Sequence, residues 1–379
     1  MIVNRGIVTD NPTVAEIHLP SFRENVRKIK SQIGKCRLLA VIKTNAYGHG
    51  TGKMAMEAVK AGADRLGVTT VQEGIHLRQQ GITLPIHILS SVPIEQADLI
   101  VKYDLIPSVS TASFVIALDD AARNQRKKVI VHAKLNTGLN RFGIEPKDAL
   151  SFFQAYYHLP HIEWEGIYTH FSHADEGDWK RTEDQFNLFI DTVNNLETNG
   201  FVFPLKHAGA STITLERPDM YLDMVRPGIA LFGYTPDERQ ERILPLQPVL
   251  TLKTKLTLIR NILPGSPVGY GGKYVSAKNE KIGILPIGHG DGFKRSLSNR
   301  GEVLIHGKRA PIIGTIALDQ TFVNITDIIG AKEGDEVILI GSQGNERITA
   351  RELANSIGSN VDEVLASLMQ RIPRKYILN

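Results

Sequence analysis

The sequence predicts an α/β protein, with an N-terminal (β/α)8 barrel followed by a C-terminal domain built mainly of β-strands. Three observations predict it. Short apolar runs alternate with longer amphipathic ones through the first two-thirds of the 379 residues. The alternation offers eight strand slots within about 220 residues, near the usual size of such a barrel. After about Asp237 the chain changes to β-branched runs separated by glycine turns. The expected domains are therefore 1–237 and 238–379. A doubly wound open sheet is the main alternative for the first part.

Barrel strands are expected at 37–43, 65–70, 85–89, 129–134, 164–169 and 225–232, with weaker ones near 105–108 and 204–207. Each is short, apolar and bounded by turn residues, as buried parallel strands are. Helices are expected between them at 54–61, 71–80, 112–123, 146–157 and 182–199. Gly62 and Gly81 close the first two as C-caps. Antiparallel strands are expected at 249–262, 281–287, 301–305, 312–316 and 336–340. Residues 14–19 are also strand-like and precede a helix starting near Ser21, so residues 1–20 are expected to pair with the C-terminal domain.

Composition excludes several classes of function. The 44 basic and 40 acidic residues leave a net charge of only +4. No basic tract with interleaved aromatics marks a nucleic-acid partner. Cys36 is the single cysteine, so no intramolecular disulfide forms. No apolar run has the length of a membrane span, and the N-terminus lacks the apolar core of a signal peptide. A cytoplasmic location is expected by default.

The chemistry concentrates at strand ends, where barrels carry their catalytic groups. Leu38-Leu39-Ala40-Val41-Ile42-Lys43 is a strand ending in lysine, followed by Thr44-Asn45-Ala46-Tyr47-Gly48-His49-Gly50. A lysine in low-polarity surroundings has a depressed pKa and a usable amine. Many strands end in a surface lysine, so position alone does not assign Lys43. Other strand ends carry Lys134 and Arg141 around a Thr-Gly turn, and His170 after Thr169. Ser211 opens a helix, where serine serves first as an N-cap but also suits a phosphate site.

The stretch from Ala40 to Gly50 closely resembles the pyridoxal-5′-phosphate (PLP) attachment signature of the alanine racemase family, and similar motifs follow in order along nearly the whole chain. The resemblance implies a PLP-dependent racemase of fold type III that interconverts L- and D-alanine, supplies D-alanine for peptidoglycan, and works as a homodimer without metal. It implies that Lys43 carries the cofactor and acts as one base, with Tyr47 on the phosphate. In Lys134-Leu135-Asn136-Thr137-Gly138-Leu139-Asn140-Arg141, Arg141 binds the substrate carboxylate and a carbamylated Lys134 orients it. His170 stacks on the pyridine ring, Asp175 lies near the entrance, and Ser211 contacts phosphate. In Val225-Arg226-Pro227-Gly228-Ile229, Arg226 faces the pyridine nitrogen, and the amides of Gly228 and Ile229 hold phosphate.

Racemisation needs a second base on the opposite face of Cα. The resemblance assigns it to Tyr270 in Gly265-Ser266-Pro267-Val268-Gly269-Tyr270-Gly271, donated by the partner subunit. Arg295 supports Tyr270, Leu318 lines the substrate site, Asp319 supports it, and Gln370 reaches the phosphate. The sequence departs from the family pattern at Asn136, Leu139, His289, Thr315, Ala317, Leu318 and Gln370. These departures gather at the pocket wall, so serine or a broader range of small amino acids is the alternative substrate.

Overall fold

The computed structural model describes residues 11–378, which divide into two compact units. One is continuous, residues 20–248; the other combines the described residues up to Leu19 with those from Val249 onward. The break falls at 248/249, later than the compositional change at Asp237, because the segment after Asp237 stays with the barrel. There Asn25 donates to Gln247 O at 2.7 Å and accepts from Gln247 N at 2.8 Å.

The continuous unit is a TIM barrel. Its strands are β2 (Arg37–Val41), β3 (Arg65–Val68), β4 (Ile86–Ile88), β5 (Ile106–Val109), β6 (Val129–Lys134), β7 (Ile162–Tyr168), β8 (Leu205–His207) and β9 (Met224–Val225); β1 (Val14–His18) belongs to the other unit. They run in the order β8-β7-β6-β5-β4-β3-β2-β9, with parallel registers throughout. Asp223 N donating to Lys206 O at 3.0 Å brings the two ends of that order together. Every residue of β3, β4 and β5 is buried, as strands covered on both faces must be.

Helices form where caps and amphipathic spacing agree. Thr70 and Glu73 make a full capping box for Val71–Gln79, and Asp178 caps Trp179–Thr198. A strand does not extend over 225–232, as the apolar run suggested. It stops at Val225, and Ile229–Phe232 is a 3-10 turn closed by Gly233 at φ 85°. A Cβ at Gly233 would lie 1.9 Å from Gln247 O, so the chain must turn there bare.

The other unit holds a ten-stranded sheet. Its path runs Leu258–Ile262, Glu280–Leu285, Thr321–Asn324, Lys308–Ile313, Glu302–Ile305, Glu336–Gln343, Leu250–Lys255, β1 and Arg374–Ile377, with Glu346–Ile348 beside Glu336–Gln343. β1 lies antiparallel to Leu250–Lys255 and parallel to Arg374–Ile377. The strand expected at 312–316 is Lys308–Ile313. The helices Ala350–Ile357 and Val361–Ala366 were not expected; Thr349 and Asn360 cap them.

Candidate active site

Lys43 follows β2, and the four residues after it adopt left-handed backbone, with φ of 54°, 53°, 52° and 51° at Thr44, Asn45, Ala46 and Tyr47. For L-residues this costs roughly 1–2 kcal/mol each, so neighbours must hold the turn. Glu73 accepts from Thr44 N at 2.6 Å, and Asn45 Oδ1 accepts from Thr51 N at 3.2 Å. Buried His49 closes the turn through Nδ1, 3.0 Å from Ala46 O and 2.9 Å from Tyr47 O; both partners are carbonyls, so Nδ1 carries the hydrogen. The turn packs Tyr47 against Phe232, with ring centroids 5.2 Å apart, and leaves Lys43 Nζ 6.0 Å from the Tyr47 ring.

Beside Tyr47, Ser211 Oγ accepts from Gly228 N at 3.1 Å and from Ala230 N at 3.4 Å. A Cβ on Gly228 would lie 2.2 Å from the Tyr47 hydroxyl. Tyr47 Oη, Ser211 Oγ and the backbone of Gly228 thus gather neutral polar groups at a place only glycine permits, chemistry that suits a bound anion.

Arg226 is buried at 3% exposure, and among the described residues its guanidinium pairs with neutral acceptors. NH2 donates to Thr169 O at 2.8 Å and Ala208 O at 2.7 Å, and lies 3.3 Å from His170 Nδ1. NH1 donates to His207 Nδ1 at 2.9 Å. Burial brings its guanidinium down to about 10, with Arg141 adding to the fall, so it keeps its charge at neutral pH. Burial, then Arg226, Arg141, Lys134 and Lys43, pushes His170 well below the ordinary histidine value. Lys134, also buried, donates to Leu135 O at 2.6 Å and lies over the rings of Tyr168 and Phe142 at 5.5 and 5.6 Å. Burial, then Arg226 and Arg141, brings its amine to about 7.

The barrel unit therefore brings together Lys43, Tyr47, Lys134, Arg141, His170, Ser211, Arg226, Gly228 and Ile229. Asp175 accepts from Thr212 Oγ1 at 2.5 Å. The remaining expected residues lie in the other unit. There Tyr270 is 74% exposed, and its carbonyl accepts from Thr315 Oγ1 at 3.0 Å. His289 N and Gly290 N donate to Ala317 O and Leu318 O at 2.9 and 2.7 Å, which sets Leu318 and Asp319 on an exposed loop. Arg295 is exposed, in the turn whose Ser298 and Asn299 bond Ile316 N and Gly314 N. Gln370 is exposed just after Met369, whose N donates to Asp291 O at 2.9 Å.

Asn136 has a local explanation. Its amide donates to Asn140 Oδ1 at 2.8 Å and Glu145 Oε1 at 2.7 Å, while its Oδ1 accepts from Gly138 N and Asn140 N. An aspartate would place two carboxylates together and lose both donations. Asn136→Asp is expected to lower stability by about 1–3 kcal/mol, read by thermal unfolding, and adding Glu145→Gln is expected to recover most of it. An unchanged melting temperature in the single variant would sink this account.

Sequence reasoning missed a largely buried chain of groups across the barrel. Glu165 pairs with both terminal guanidinium nitrogens of Arg65 at 2.6 and 2.7 Å; its Oε2 lies 2.9 Å from His132 Nε2, and His132 Nδ1 lies 2.8 Å from His207 Nε2. One signal was readable: His132 and Lys134 share a strand face at a spacing of two, so both enter the interior. His87, His132 and Glu165 place candidate ligand atoms within 4.8 Å of one another, but Arg65 already donates to His87 Nε2 and to Glu165 there.

An amine at one strand end, a buried cation with no carboxylate partner among the described residues, and a cluster of neutral polar groups at the last strand define an enzyme of the barrel class. Residues 17–236 match the alanine racemase N-terminal domain, and residues 249–376 match the C-terminal domain. The chain is 37% identical to an alanine racemase of Halothermothrix orenii, over 96% of this chain and 97% of that one. It is similar to the structure of alanine racemase from Clostridium difficile 630, at a TM-score of 0.92 and 35% identity, covering 97% and 96% of the two chains. The alanine racemase of Bacillus anthracis with bound L-Ala-P matches at 0.92 and 33% identity, covering 97% and 96%. The chain belongs to the alanine racemase family.

Proposed function

We propose that this protein racemises alanine with PLP as cofactor, as a homodimer, and supplies D-alanine for peptidoglycan. The observation that carries the reading is Arg226, a buried guanidinium with no acidic partner among the described residues, whose charge acts on His170 together with that of the Lys43 amine. Lys43 would hold the cofactor, and Tyr47, Ser211 and the amides of Gly228 and Ile229 would hold its phosphate. When bound, PLP supplies an electron-withdrawing ring that makes the substrate α-hydrogen acidic.

The chain's own groups do the rest. Arg226 would face the ring nitrogen and keep it unprotonated, which would weaken the ring as an electron sink and disfavour transamination and decarboxylation. A PLP decarboxylase would favour an acid at this position. Arg141 binds the substrate carboxylate. Lys134, with its amine near neutrality, suits carbamylation, which would give Arg141 an anionic partner. Lys43 takes or returns the proton on one face of Cα, and the Tyr270 hydroxyl serves the other. The amine and the phenol exchange roles when the direction reverses. The 74% exposure of Tyr270 supports its donation to a partner subunit, and Leu318 and Gln370 would line the substrate and phosphate sites.

Chiral chromatography of L-alanine incubated with the chain and PLP tests the reading; failure to form D-alanine would overturn it. No described helix is long and apolar enough to cross a membrane.

The glutamine at 370 favours a second substrate. It removes an aromatic wall that the family places there and adds a hydrogen-bonding group. Alanine is expected to remain the best substrate, with serine turned over more readily than by family members that keep the tyrosine. A changed pocket contact is worth roughly ten- to two-hundred-fold in discrimination. Gln370→Tyr is therefore expected to raise the alanine-to-serine ratio of kcat/KM about tenfold or more. A flat ratio would confine Gln370 to phosphate contact.

A further inference from the structure

The hydrogen bonds from Arg226 to Glu165 admit one arrangement of protons. Arg226 can only donate, so His207 Nδ1 accepts. Burial, then Arg226 and the neighbouring histidines, keeps His207 neutral, so its hydrogen sits on Nε2 and is donated to His132 Nδ1. Burial keeps His132 neutral as well, against the pull of Glu165, so His132 Nε2–H donates to the Glu165 carboxylate. Burial alone would raise that carboxyl, but hydrogen bonds from His132 and Arg65 outweigh it and hold Glu165 at about 2.

The barrel is shaped around this chain. In the pairing of β6 with β7, Val131 faces Trp164 but His132 faces Gly166, so Glu165 is the extra residue of a bulge, a device that re-aims a side chain. A Cβ on Gly166 would lie 2.4 Å from His132 Cε1, so the next residue is bare where the imidazole passes. Glu165 keeps 21% side-chain exposure, while His132 and His207 are buried.

We propose that Glu165 is a positioning residue for Arg226: through His132 and His207 its carboxylate fixes one tautomer at each imidazole, and so one orientation of the guanidinium toward the ring nitrogen of the bound cofactor. The inference rests on the reading of Arg226 given above. Removing the carboxylate lets His132 take the other tautomer. His207 must then either follow, which turns an N–H against Arg226, or lose its bond to His132.

The test uses the full chain, with and without PLP, labelled with 15N in the histidine rings. In the unaltered chain His132 and His207 are expected as neutral rings protonated at Nε2. E165Q does not touch His207, yet it is expected to move the His207 ring-nitrogen resonances. It is also expected to lower kcat for L-alanine roughly tenfold or more while changing KM less than about threefold, as small misplacements of a site group do. E163Q, at an exposed position of the same strand, is expected to do neither. Either ring protonated at Nδ1 in the unaltered chain, or unmoved His207 resonances in folded E165Q, overturns the proposal. If E165Q does not fold, the tautomers of the unaltered chain decide. Expected tautomers in a chain that takes up no PLP would overturn the cofactor reading and leave the relay standing.

Discussion

Lys43→Ala is expected to lower alanine racemisation by roughly four orders of magnitude or more, because one substitution removes both a general base and the cofactor's attachment point. The fold should survive, since Lys43 is only half-buried and sits past the last paired residue of β2. Borohydride fixation of the PLP-loaded protein followed by peptide mapping identifies the attachment residue. The competing amine is Lys134, brought to about 7 by burial and two arginines. A label on Lys134, or full activity in Lys43→Ala, would overturn the assignment.

Mixing Lys43→Ala chains with Tyr270→Phe chains, each inactive alone, is expected to restore up to about one quarter of unaltered activity once subunits exchange. Random exchange makes half the dimers mixed, and a mixed dimer that shares its sites across a two-fold axis has one intact site of two. The phenol of Tyr270 is exposed in the single chain, while Thr315 and the Gly269–Thr315 bridge fix its backbone, so a partner could receive it in a defined place. Exchange verified by mass, with no activity recovered, would show that each chain supplies its own second base.

Much of the barrel was legible because parallel strands buried on both faces leave continuous apolar runs, as in β3 to β6. The same property misled at 225–232. An apolar run does not distinguish a strand from a buried turn, and Gly228 and Gly233 were the better guides. The caps Thr349 and Asn360, each with glutamate three residues on, signalled the two late helices and were overlooked. Lys43 was legible through its long motif. Its left-handed turn was not, because Thr-Asn-Ala-Tyr has no preference for positive φ beyond that of Asn45, and Glu73 and His49 impose it from outside. The relay was illegible for a different reason. Arg65, His132, Glu165 and His207 lie on four strands, each an ordinary polar residue in its own segment, and only barrel closure assembles them.

The placement of β1 has a consequence for how the chain is made. Val14–His18 emerges early from a ribosome, yet both its neighbours, Leu250–Lys255 and Arg374–Ile377, come far later. At roughly 5–20 residues per second, the nearer one follows some ten to fifty seconds behind. Every strand of the barrel is translated within that wait, and its unit is continuous from residue 20 to 248. The order of synthesis therefore favours a barrel that closes first, with the first strand held over as an unpaired edge until the last third of the chain arrives. A nascent chain stalled once the whole barrel unit has left the ribosome, but before Leu250–Lys255 has, should already protect the barrel from protease while the segment before Leu19 is still cut.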